Sequence, residues 1–142
     1  MIRVHSAPYN YAQPLEFIKT STQQTFPIGK LVKVGSTGSG GVEHLGGTTG
    51  IPISVTPYIT MAATTGSSEV YYPMLKVLPN VKYIANHCSS ETARSTTDVG
   101  LNAAVSSSGG IVVASTGCFK VDAISNTSDT SLQKIIGTFV FI

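Results

Sequence analysis

The sequence predicts an all-β fold, a small β-barrel or β-sandwich carrying an extended N-terminal arm. Three observations predict it. Short runs rich in β-branched and aromatic residues recur along the 142 residues, and the clearest alternate with a period of two. Clusters of Gly, Ser, Asn and Pro separate the runs. No segment holds a helical period over three turns. The chain divides into an arm, residues 1–13, and a single β-domain, residues 14–142.

Residues 1–13 mix Pro8, Tyr9, Asn10 and Tyr11 in a pattern that resists helix, with Pro14 closing it. Tyr9 and Tyr11 have the character of rigid anchors on a neighbouring molecule. Leu15 to Thr20 is a first strand and Lys30 to Val34 a clearer one. The glycine-rich stretches 35–41 and 46–50 then predict a loop. They lack the Gly-Lys-Ser/Thr ending of a phosphate-cradling loop. Ile51 to Thr60 alternates, with Ile51, Ile53, Val55 and Ile59 on one side. Pro52 and Pro57 make it an edge strand or break it. Glu69 to Leu78 reads as two short runs split by Pro73, and Pro79-Asn80 as a turn. Val81 to Ala85 resumes strand.

Residues 86–97 are polar and turn-like, with one helical turn expected around Glu91 to Arg94. Further strands are expected over Val99 to Val105, Ile111 to Ala114 and Cys118 to Ile124. Leu132 to Ile142 closes the chain. Both faces of this last strand are apolar, which places it either centrally or at a subunit interface. Phe139 and Phe141 are the candidate interface residues.

Composition narrows the function classes. The apolar share is 42%, compatible with a folded core, but only 11% of residues are charged, against about 25% in typical soluble chains. Such a chain suits a life packed against other molecules. A net charge of +2 gives little reason to expect nucleic acid or an anionic membrane as partner. The longest apolar stretch, Ile135 to Ile142, is far short of the ~20 residues of a spanning helix. No secretory leader is expected from Met1-Ile2-Arg3-Val4-His5, so folding in a cytoplasm with reduced Cys88 and Cys118 is expected.

The residues that carry chemistry are sparse. His87 and Cys88 are adjacent, so on a strand they point to opposite faces and do not readily share a metal ion. No Gly-x-Ser-x-Gly elbow is present. Asp98 and Asp129 sit where a turn Asp bonds backbone N–H groups. Neither enzyme activity nor a cofactor is expected.

One resemblance joins these observations. The runs Val77-Leu78-Pro79-Asn80-Val81-Lys82-Tyr83-Ile84-Ala85, Val99-Gly100-Leu101, Gly117-Cys118-Phe119-Lys120-Val121-Asp122-Ala123-Ile124 and Ile136-Gly137-Thr138-Phe139-Val140-Phe141 resemble tailed-bacteriophage capsid decoration, or cement, proteins of the lambda type. The resemblance spans roughly residues 75–142. It implies a virion protein on the outer surface of the capsid, folded in the host bacterial cytoplasm. There it binds the major capsid protein lattice, commonly as a trimer, and stabilises the head. An N-terminal arm would engage the shell, with Tyr9, Tyr11, Pro14 and Phe17 as candidate partner-binding residues. The alternative is a fibre-associated module that recognises a cell-surface glycan; the absence of Trp weighs against it.

Overall fold

The computed structural model describes residues 1–7, 15–19, 26–34, 42–45, 49–63, 71–88, 91–125, 128–129 and 131–142. Among them are eleven strands and no helix. They are β1 (Arg3–Ser6), β2 (Leu15–Lys19), β3 (Leu31–Val34), β4 (Val42–His44), β5 (Pro57–Thr60), β6 (Tyr71–Lys76), β7 (Lys82–Asn86), β8 (Asn102–Val105), β9 (Ile111–Thr116), β10 (Phe119–Ser125) and β11 (Lys134–Phe139). They form two antiparallel sheets, ordered β1-β7-β11-β10-β8-β9 and β2-β6-β5-β3-β4.

The sheets do not close into a barrel. Closure needs every edge paired, whereas among the described residues β1 pairs only with β7 and β2 only with β6. One hydrophobic core draws on both sheets, with Leu31, Ile59 and Leu75 from the second meeting Tyr83, Phe119 and Ile135 from the first. The Phe139 ring stands edge-on to both Tyr83 and Phe119, with centroids 5.1 Å apart in each pair, a favoured aromatic geometry. A smaller cluster of Phe26, Val32, Tyr58 and Met74 lies on the other face of the second sheet.

The doubly apolar C-terminal strand is a central strand. β11 runs between β7 and β10 and alternates strictly, with Ile135, Gly137 and Phe139 buried and the residues between them half-buried. Gly137 is required there: a Cβ would stand 2.0 Å from the Lys120 carbonyl oxygen and 2.6 Å from the Phe119 ring. Asn80 takes a left-handed φ of 67° in the Pro79-Asn80 turn, a conformation that Asn tolerates.

Four expectations are corrected. Residues 2–6 are not a free arm, because Ile2 is buried in the shared core and β1 pairs with β7; residues 8–14 lie outside the described set. The alternation of Ile51 to Thr60 does not make one strand. Ile51 is buried, but the chain turns at Ile53 and Ser54, leaving Ile53 84% exposed, and β5 begins only at Pro57. Pro73 does not split β6. Its carbonyl accepts the Met61 N–H (3.0 Å), so the donor it lacks would face the segment just past β5, clear of the β2 ladder. No helical turn forms at 91–94, because the Gln133 side chain takes both backbone groups of Ala93, at 3.0 and 2.8 Å.

Candidate interaction surface

β2 is an edge strand whose two faces have unequal fates. On one face Ile18 packs with Tyr72 against the small cluster, and the Glu16 carboxylate accepts the Tyr58 hydroxyl at 2.8 Å. Burial, with the Glu16 carboxylate second, pushes the Tyr58 phenol up to about 12. On the other face Leu15 is 53% and Phe17 64% exposed. The register sets Leu15 opposite Leu75 and Phe17 opposite Pro73, so both share the sheet face that turns inward as the core. Tyr71, 62% exposed, stands on that face two residues before Pro73. Met61, bonded to the Pro73 carbonyl, extends the row on the other side.

The result is an exposed apolar strip on a strand that is held firmly from behind. An exposed apolar strip of this kind is a candidate contact surface. The outer backbone edge of β2 adds a row of donors and acceptors to which an incoming strand could pair. Of the residues singled out in the sequence, Phe17 is therefore at this surface. Tyr9, Tyr11 and Pro14 lie outside the described residues. Leu15 and Tyr71 were not singled out. Their pattern is that of ordinary strand residues, and only the pairing reveals them as uncovered.

The two candidate interface residues separate. Phe139, 4% exposed, is enclosed by its own chain and offers no surface to a partner. Phe141 is half-buried against the core and bridges to Ile51. Beside it, Ile53 donates its N–H to the Ile142 carbonyl (2.9 Å), and both side chains are largely exposed. This second apolar spot also escaped the sequence.

The groups with chemistry are dispersed. The Asp98 carboxylate accepts the Arg94 N–H at 2.6 Å, and Asp129 accepts both the N–H and hydroxyl of Ser131, which lower its pKa. Asp122 pairs with Lys82 at 3.3 Å. His87 and Cys88 point apart as expected, His87 buried and Cys88 exposed, while Cys118 lies in the core. Among the described residues neither ring nitrogen of His87 has a hydrogen-bond partner, and burial lowers its pKa, an effect that Asp98 opposes. Among the described residues no group of three or more His, Cys, Asp or Glu could hold a metal ion. A hollow of about 410 Å³ is lined by residues including Lys33, Val55 and Tyr58, and another of about 470 Å³ by Leu101, Asn102, Val113 and Ser115 among others.

No protein-family model, curated protein or solved structure matches this chain.

Proposed function

We propose that this protein is a structural virion component, a decoration protein that binds the outer surface of a phage capsid and stabilises the head. The observation that carries the reading is the exposed apolar strip of Leu15, Phe17 and Tyr71 on an edge strand fixed from behind. The resemblance of residues 75–142 to decoration proteins supplies the kind of partner, the major capsid protein. Decoration works by many modest contacts on a repeating lattice, so a short apolar strip and a free strand edge are enough in each copy. A trimer is the assembly that the resemblance implies. Full sandwich packing of the two sheets, with β2 as its outward edge, is the architecture this reading requires.

Co-sedimentation with capsids stripped of the protein tests it. Saturation in many copies, at a ratio fixed by the shell's symmetry, with a higher capsid melting temperature, is the expected result. Failure to saturate, or binding of only a few copies, rejects it. A second reading, a glycan-binding module of a fibre, is favoured by one observation, the exposed Tyr71 ring beside Phe17, since aromatic faces are platforms for sugars. Binding on a glycan array without capsid binding would select it.

A further inference from the structure

A small hollow of about 130 Å³ opens on the outer face of the first sheet, lined by Met1, Arg3, Ile84, Ala85, Asn86 and Lys134. Its placement follows from the strand register. Arg3 of β1 stands opposite Ile84 of β7, and Lys134 of β11 stands opposite Asn86 of the same strand. Two cationic side chains thus flank β7 from either side. On the same face Lys82 has its carboxylate, Asp122. Arg3 and Lys134 have none among the described residues; Lys134 instead donates to the Asn86 side-chain oxygen. That bond orients the Asn86 amide and leaves its NH₂ group to donate.

Two cations converging on a hollow without a counter-charge repel one another unless an anion sits between them. We propose that this hollow binds a small oxyanion, a carboxylate or a phosphate, held by the Arg3 guanidinium, the Lys134 ammonium and the Asn86 amide. Arg3 supplies a planar fork that matches two oxygens, and Lys134 a point charge. The volume suits one such group. The Met1 amino group is held below its ordinary value, by burial first and then by Lys134, Cys88 acting in the opposite sense and Arg3 adding to the lowering. The inference rests on the placement of Arg3 and Lys134 around the hollow.

The test is a titration of the full chain with sodium phosphate and with sodium acetate, against sodium chloride at matched ionic strength. The Asn86 side-chain amide and the backbone amides of residues 3, 84–86 and 134 are followed by NMR. Saturable shifts confined to these groups, with either oxyanion and not with chloride, are expected. Affinity should fall about tenfold or more in Lys134→Gln and in Arg3→Gln, the loss of one charged hydrogen bond. It should be unchanged in Lys120→Gln, an exposed lysine on the neighbouring strand β10. Should Lys134→Gln fail to fold, Arg3→Gln on the edge strand carries the comparison. Equal shifts with chloride, an equal loss in Lys120→Gln, or no saturable shift with either oxyanion would overturn the proposal.

Discussion

His87 couples the stability of the fold to pH. Its side chain is buried, so the folded site resists the charged form. Its folded pKa lies below 6.5, the ordinary value. Above that pH the ring is neutral in both states and the site contributes no slope. As pH falls below 6.5 the unfolded chain takes up a proton that the folded site refuses, so stability falls until the folded ring also protonates. His44 acts in the same sense, held down by burial and by Lys30 against the opposing Leu31 and Val105 carbonyls. Urea unfolding between pH 7 and pH 5 should therefore show decreasing stability, and His87→Leu should flatten that slope. A slope unchanged by the substitution would assign it elsewhere. Tyr58→Phe removes the donor that ties β5 to Glu16 of β2 and should cost about 1 kcal/mol in the same assay. Local chemistry was legible at this scale: Asp98 and Asp129 occupy turns where their carboxylates meet nearby N–H groups, as their neighbours in sequence imply. His87 was not, because its place in the fold is set by backbone pairing with Gln133 and Ile111, both remote in sequence.

The elements divide along the same line. β7 and β10 were legible because alternation survives wherever one face meets the core, and β3 because Leu31 and Val32 are apolar on two faces that are both buried. β1 was not. Its Arg-Val-His-Ser sequence has a single apolar residue, and it becomes a strand only by pairing with β7, about 80 residues away. Ile51 and Ile53 show the limit most plainly: identical residues of the same parity take opposite environments because the chain turns between the first and β5. Ile2 anchors β1, its side chain buried and its N–H donating to the Gly29 carbonyl at 2.9 Å. Ile2→Ala should cost about 2–5 kcal/mol, and removal of residues 1–6 should unfold or severely destabilise the domain. A truncated chain with an unchanged thermal midpoint would contradict the place given to β1. Gly137→Ala forces a methyl group into the β10 backbone and should cost about 1–3 kcal/mol or more, read by the same melt.

At the scale of the whole molecule, the two-sheet arrangement divides the apolar residues of the sequence. Many of them fill the shared core, and some remain outside, at the β2 strip and at Ile53 and Ile142. An apolar C-terminal strand reads identically in sequence whether a neighbouring strand or another subunit covers it. The structure covers β11 from within, which moves the search for a contact surface to the other sheet. The most direct measurement is co-sedimentation with stripped capsids, comparing the native chain with a Phe17→Ser, Tyr71→Ser double variant of verified fold. The native chain should saturate the shell at a fixed ratio, and the variant should bind at least about tenfold more weakly at unchanged thermal stability, as expected for loss of central apolar anchors. Equal binding by the two chains would contradict the role given to the β2 strip, and binding by neither would contradict capsid decoration itself.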